Sequence, residues 1–254
     1  MKSNKQYPFV SFMMVLIVVS LACGSAQPTP TQAPTATVTV VPSQTPKPSP
    51  TPRPTKTPNL AATQHIDDLN AVAQDYFAKG YLSTSNGKFT ELDDFKEEWA
   101  QLGWYSWRVL KNKASDFFMS GHFKWKSAYK NSDISGCGFV FDIQDNNDHY
   151  AVFLDKSRVL FLSSDESSGR VRPVGTTRGR GGVKIAEPTE ADFTLIVKGA
   201  YSYVLVNEEL VGEYTLAQSK PLYGNVGLTL LSGTNKDYGT RCEMTDLYLW
   251  IPEK

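Results

Sequence analysis

The chain has 254 residues with 26 basic and 26 acidic side chains, and this neutrality averages two unlike parts, because Lys2, Lys5, Lys47, Arg53 and Lys56 all precede Asp67, the first acidic residue. From residue 67 onward 21 basic side chains face 26 acidic ones, a net of −5, which argues against a nucleic-acid partner or a polybasic membrane dock. Composition also excludes a collagen, a coiled coil and a multi-span membrane protein; with ten of the fifteen prolines between Pro28 and Pro58, the length supports one folded domain of under about 200 residues.

Lys2 and Lys5 precede an apolar run from Phe9 through Val19, followed by Ser20-Leu21-Ala22-Cys23-Gly24. A basic end, an apolar middle and a small residue, in that order, predict a secretory signal peptide over residues 1–22. The run is short for a transmembrane helix. Ala22-Cys23 resembles the lipobox of bacterial lipoproteins, in which the Cys becomes the lipid-carrying first residue after cleavage. Ser20 and Leu21 depart from the aliphatic and small residues that this family prefers there. The resemblance implies lipidation of Cys23, export, and an anchor in the cell membrane with the domain extracellular; an unmodified Cys23 in an uncleaved anchor is the alternative. Acyl chains contribute about 0.8 kcal/mol per buried methylene, so a multiply acylated Cys23 would hold the protein durably.

Residues 23–58 are almost entirely Pro, Thr, Ser, Gln, Ala and Val, densest at Pro46-Lys47-Pro48-Ser49-Pro50-Thr51-Pro52-Arg53-Pro54. Nothing there can bury a core. Closely spaced prolines favour polyproline II, whose rise of about 3.1 Å per residue gives a semi-rigid reach on the order of 100 Å. The segment therefore reads as a disordered stalk that lifts the folded domain from the membrane, with O-glycosylation of its threonines an option.

Residues 59–103 read as a helix-hairpin-helix lead-in packed on the rest of the folded domain. Asn59 caps a helix whose apolar residues Ile66, Leu69, Val72, Ala73, Tyr76 and Phe77 recur at three and four, stopping at Gly80. Tyr81 to Leu92 centres on Asn86-Gly87, a two-residue hairpin signal. Asp93 or Asp94 then begins a short helix carrying Phe95, Trp99 and Leu102 and closed by Gly103. Beyond Gly103 the period changes to alternation and short aromatic or β-branched runs. Ten strands are predicted in 104–254: Trp104 to Leu110, Asp116 to Ala128, Gly136 to Ile143, Tyr150 to Leu154, Val159 to Ser163, Asp192 to Lys198, Tyr201 to Asn207, Leu210 to Tyr214, Asn225 to Leu231 and Arg241 to Trp250. Regular spacing with turn residues between them predicts an all-β sandwich or barrel.

Gly136-Cys137-Gly138-Phe139-Val140-Phe141, His149-Tyr150-Ala151-Val152-Phe153-Leu154, Phe193-Thr194-Leu195-Ile196-Val197, Tyr203-Val204-Leu205-Val206-Asn207, Gly224-Asn225-Val226-Gly227-Leu228 and Leu247-Tyr248-Leu249-Trp250 together resemble the concanavalin A-like lectin/glucanase jelly roll over about residues 104–251. Laminin-G-like domains and the domain called 3-keto-disaccharide hydrolase share this cadence. Glu208 departs from the Gly that often follows the hairpin Asn, and Asp142 from the Arg of many related sandwiches. The resemblance implies an antiparallel jelly-roll β-sandwich. It also allows Cys137 and Cys242, mid-strand in an early and the last strand, to be neighbours. Two leftover cysteines of an exported domain pair more often than not; two separate buried thiols are the alternative. Closing so long a loop would stabilise by up to about 4–5 kcal/mol.

Glucanases of this fold carry Glu-x-Asp-x-x-Glu on one strand, because cleavage needs two carboxylates astride the glycosidic bond. No such run occurs: Glu91-Leu92-Asp93 begins it, but Lys96 stands where the second Glu should be. Glu208 with Glu209, and Asp142 with Asp155, remain as loose pairs, and no catalytic residue is assigned. His65, His122 and His149 lack metal-binding spacing, which argues against zinc, and no Gly-x-Ser-x-Gly elbow appears. No cofactor is required; Asp145-Asn146-Asn147-Asp148 offers oxygen ligands for calcium without a full acidic loop. Arg178-Gly179-Arg180-Gly181-Gly182 reads as a basic connection. Flat rings with a few convergent polar groups bind sugars, and the candidates for that role are Trp104, Trp107, Tyr129 and His149. The functional expectation is a surface lipoprotein presenting a non-catalytic, lectin-like sandwich to a glycan or other extracellular polymer. A hydrolase acting on oligosaccharides and a structural or protein-adhesion module are the alternatives.

Overall fold

A computed structural model describes residues 60–129, 134–179, 181–216 and 222–253. The expected signal peptide, the lipidation candidate Cys23 and the expected stalk lie outside the described residues. One α-helix, α1 (Leu60–Ala78), precedes fourteen strands: β1 (Gly87–Glu91), β2 (Phe95–Trp99), β3 (Trp104–Ala114), β4 (Phe117–Ser127), β5 (Gly136–Ile143), β6 (His149–Leu154), β7 (Val159–Asp165), β8 (Arg170–Pro173), β9 (Thr176–Gly179), β10 (Glu190–Lys198), β11 (Tyr201–Val206), β12 (Glu209–Thr215), β13 (Gly224–Ser232) and β14 (Thr240–Pro252). They form an antiparallel jelly-roll β-sandwich. The larger sheet runs β1-β14-β4-β10-β11-β12-β9, with β2 also paired to β14; the smaller runs β3-β13-β5-β6-β7-β8.

Alternation decides the layering, because in a strand every second side chain reaches the same face. Phe117, Met119, Phe123 and Trp125 of β4 enter the space between the sheets, where they meet Phe139 and Phe141 of β5 and Phe193 and Leu195 of β10. The rings interlock at centroid distances of 5.1 Å for Phe123–Phe139 and 5.6 Å for Phe139–Phe193. Cys137 of β5 and Cys242 of β14 form a disulfide across a sequence separation of 105, so the covalent link joins one sheet to the other.

The outer face of the larger sheet divides in two. Over one half Ala73 and Tyr76 of α1, with Leu82, cover Phe118, Ile196, Leu205 and Trp250 in a second apolar cluster. The other half is a charged lattice set by register. His122, Lys124 and Lys126 of β4 stand opposite Thr245, Glu243 and Arg241 of β14, and Asp192 and Glu190 of β10 stand opposite His122 and Lys124.

All ten strands expected beyond Gly103 are present, several longer than expected, and β8 and β9 are additional. The lead-in differs from expectation at two places. Residues 95–99 form strand β2, not a helix: Phe95 and Trp99 share one face because a spacing of four suits both a helical turn and an alternating strand. Phe95 is buried, while Lys96 and Glu243, and Glu98 and Arg241, pair on the opposite face. Tyr81 to Leu92 is not a hairpin either. Gly87 opens β1, which pairs with β14 from Gly87↔Pro252 to Glu91↔Tyr248. A Cβ at Gly87 would run into the Trp250 indole, so this glycine serves close packing rather than a turn. The Arg178-Gly179 end of the basic connection is likewise strand, β9, with Arg178 opposite Glu213 of β12.

Candidate functional site

Two places among the described residues gather aromatic and polar side chains. The first is the outer face of the smaller sheet. Tyr105, Trp107, Val140, Phe153 and His149 share this face with Gly136, Gly138 and Gly227, as the registers of β3, β13, β5 and β6 require. Three strand spacings, about 14 Å on a flat sheet, separate β3 from β6. Even so, Tyr105 Oη and His149 Nε2 are 2.6 Å apart. The sheet therefore curls towards this face, and the glycines permit it: a Cβ at Gly138 would strike the Val152 carbonyl oxygen, and one at Gly136 that of Leu154.

The cluster is closed on itself. His149 Nδ1 donates to the Asn147 carbonyl at 2.6 Å, which leaves Nε2 as acceptor for the Tyr105 hydroxyl. Burial holds the His149 pKa below its ordinary value and raises that of the Tyr105 phenol; both effects favour the neutral pair. Trp107 packs on the imidazole with centroids 4.9 Å apart, and Tyr105 on Phe153 at 5.3 Å. Of the four sugar-binding candidates, Trp107 and His149 thus meet here, His149 buried at 4 % exposure. Trp104 stands at the start of β3 and is 62 % exposed, facing away from that cluster by alternation.

The second place is a cavity of about 720 Å³ at one end of the sandwich, reached by the ends of β4 and β14, the segment leading into β10, Ser135 before β5 and the β6–β7 turn. Trp125, Tyr129 and Pro188 line it with rings, Ser127, Ser135 and Thr189 with hydroxyl residues, and Lys124, Lys126, Lys156, Arg241, Glu187 and Glu243 with charge. Tyr129, the fourth candidate, belongs to this group and is 42 % exposed, with Lys236 Nζ 4.8 Å from its ring centroid. Trp125 is anchored by its backbone, which receives the Thr189 hydroxyl on its carbonyl. Its indole Nε1 is buried without a hydrogen-bond partner among the described residues. The disulfide braces the rim, since Cys242 is the cross-strand partner of Trp125 and Cys137 lies two residues beyond Ser135.

The carboxylates divide in an equally concrete way. Lys156 hydrogen-bonds Glu187 and holds its carboxyl below the ordinary carboxylate range, the opposite of what a general acid needs. Asp155 accepts from the Ser157 and Arg158 amides, both at 2.8 Å, and so caps the β6–β7 turn. Asp142 accepts from Gln144 Nε2 at 2.7 Å and the Tyr223 amide at 3.1 Å. The pairing of Cys137 with Leu154 and of Phe141 with Tyr150 puts Asp155 and Asp142 at opposite ends of β5. Six strand positions correspond to about 20 Å, against about 5–9.5 Å for glycosidase carboxylates. Glu208 sits at positive φ in the β11–β12 turn with Glu209 beside it, both exposed.

The Asp145–Asp148 turn is tied by Asn146 Nδ2 to Asp148 Oδ2 at 2.9 Å and by the Glu166 amide to Asp148 Oδ1 at 2.9 Å. No group of three or more His, Cys, Asp or Glu side chains able to hold a metal ion occurs among the described residues. Sequence reasoning passed over Lys126, Lys156, Glu187 and Arg241. The run Lys124-Trp125-Lys126 was the available signal, but its alternation reads equally well as an ordinary half-buried strand.

No family model matches the chain, and no curated protein matches it. Several solved structures are similar to part of the chain. The carbohydrate-binding module CBM66 from Bacillus subtilis is similar over 63 % of this chain and 92 % of its own, at 12 % identity and a TM-score of 0.45. Sheep galectin-11 in complex with glycerol covers 59 % of this chain and 98 % of its own, at 8 % identity and a TM-score of 0.36. LamAcat from Zobellia galactanivorans covers 57 % of this chain and 67 % of its own, at 13 % identity and a TM-score of 0.37.

Proposed function

We propose that the protein is a non-catalytic carbohydrate-binding lipoprotein of the concanavalin A-like kind, exported, acylated at Cys23 and holding its sandwich outside the cell on the Pro/Thr stalk. The observation that carries the binding reading is the end cavity. Sugar recognition combines a flat apolar ring with a few converging hydrogen-bonding groups in a concave site. Tyr129 supplies an exposed ring at the rim, and the Ser127 hydroxyl, which accepts from the Tyr129 amide, keeps its hydrogen to donate. Non-covalent binding is favoured over hydrolysis because the cavity carboxylate Glu187 is held ionised by Lys156, and the other carboxylate there, Glu243, pairs with Lys96 at 3.7 Å.

Titration of the full chain with a panel of neutral and acidic oligosaccharides tests this reading. Saturable binding that Tyr129→Ala weakens at least about tenfold is expected, one lost ring contact being worth roughly 1–3 kcal/mol at a ligand-stacking site. Undiminished binding by Tyr129→Ala, or release of reducing ends on prolonged incubation, would contradict it. Metabolic acyl labelling tests the anchor: wild type should take up label and Cys23→Ser should not.

A further inference from the structure

The cavity's charges are not evenly matched, and the mismatch has an address. In the lattice on the larger sheet, the row through Lys124 alternates in sign from strand to strand: Glu190, Lys124, Glu243, Lys96. Each member has a neighbour of opposite charge, with Lys124–Glu190 at 3.4 Å and Lys96–Glu243 at 3.7 Å. The next row breaks this rule. Lys126 stands directly opposite Arg241, and the Arg241 guanidinium turns away to Glu98 at 2.5 Å on the far side. On the other flank the strand pairing with β10 ends at Glu190↔Lys124, and the segment before it contributes Pro188 to the cavity wall where a further acid would have completed the row. Glu187 is taken by Lys156. Lys126 is therefore the cavity cation that makes no direct ion pair among the described residues, its charge reaching Glu187 only at longer range. Like charges directly opposite one another destabilise a sheet, and an anion seated between them removes that penalty.

We infer that the end cavity takes an acidic saccharide, with a ring carboxylate or sulfate seated on Lys126 beside Arg241 while Tyr129 contacts the sugar ring; this inference rests on the carbohydrate-binding reading of the same cavity. The two sources of the anion share one chemistry, a negatively charged oxygen cluster on a sugar, and differ in what neutralises it: esterification removes the carboxylate's charge and desulfation removes the sulfate.

Calorimetric titration of the full chain would use galacturonate oligomers, their methyl esters, a sulfated galactan oligomer, its desulfated form and a neutral glucan oligomer. One acidic form should bind at least about tenfold more tightly than its neutralised counterpart, the size of one charge-assisted contact. Lys126→Gln should abolish that preference while leaving residual binding to the neutral form, and Arg241→Gln, which also releases Glu98, should reduce it. Raising salt from about 0.05 to 0.5 M should shrink the preference, as screening requires. Equal affinity for charged and neutralised forms, or a preference that survives Lys126→Gln, overturns the inference and leaves the carbohydrate reading standing. Binding of no saccharide, charged or neutral, overturns both.

Discussion

The aromatic face of the smaller sheet and the end cavity of the sandwich contain similar side chains put to opposite uses. On the face, the Tyr105 hydroxyl is taken by His149 and the His149 Nδ1 hydrogen by Asn147. At the cavity, the Trp125 indole nitrogen is buried without a partner among the described residues, and Lys126 forms no ion pair there although its charge acts on Glu187. An orphan donor alone does not mark a binding site, since the Trp99 indole and the Tyr214 hydroxyl also lack partners among the described residues. Tyr214 lies in the core facing Phe161, its phenol pushed up to about 12 by burial. Trp125 differs from both in that it lines the end cavity, although its Nε1 is buried as theirs are.

This contrast breaks most severely at the covalent brace. Replacing both Cys137 and Cys242 with Ser should cost about 4–5 kcal/mol for a loop of this length, read from denaturant midpoints under oxidising conditions. Saccharide binding should weaken as well, because Cys242 pairs with Trp125. Phe153→Ala tests the other region: it should cost about 3–5 kcal/mol as a fully buried aromatic while saccharide affinity stays within about twofold of wild type. Loss of binding in that variant at full occupancy of the folded state would move the site to the smaller sheet. Tyr105→Phe is milder, at about 1–2 kcal/mol, because it leaves His149 Nε2 without its donor.

The smallest effect is a pH slope. Burial lowers the folded-state pKa of His149 below its ordinary 6.5, so the unfolded chain binds the proton more readily. The stabilisation is fully present above about pH 6.5 and is lost as pH falls towards the folded pKa. Wild type should therefore lose stability from about pH 7 to 5 more steeply than His149→Gln. Parallel slopes for the two proteins would show that His149 does not carry the effect.

The sandwich was legible in the sequence because alternation and turn residues report burial directly. Gly136 to Ile143 matches β5 residue for residue. The short strands β1 and β2 were not legible. Phe95 and Trp99 fit either period, and Asn86-Gly87 resembles a turn when it is in fact making room for Trp250. The site was only partly legible. Tyr129 was singled out, but Trp107 and His149 were grouped with it on residue type alone, and their mutual saturation depends on a curl of the sheet that no local pattern encodes. Lys126 was invisible for a related reason: a missing counter-charge is a property of register across three strands.

The claim that a sugar occupies the end cavity, rather than the aromatic face, is tested most directly by following the five tryptophan indole N–H resonances while the full chain is titrated with a saccharide it binds. The Trp125 signal should shift in a saturable manner, with the Trp107 and Trp104 signals unmoved. A titration in which Trp107 or Trp104 moves and Trp125 stays fixed would contradict the claim.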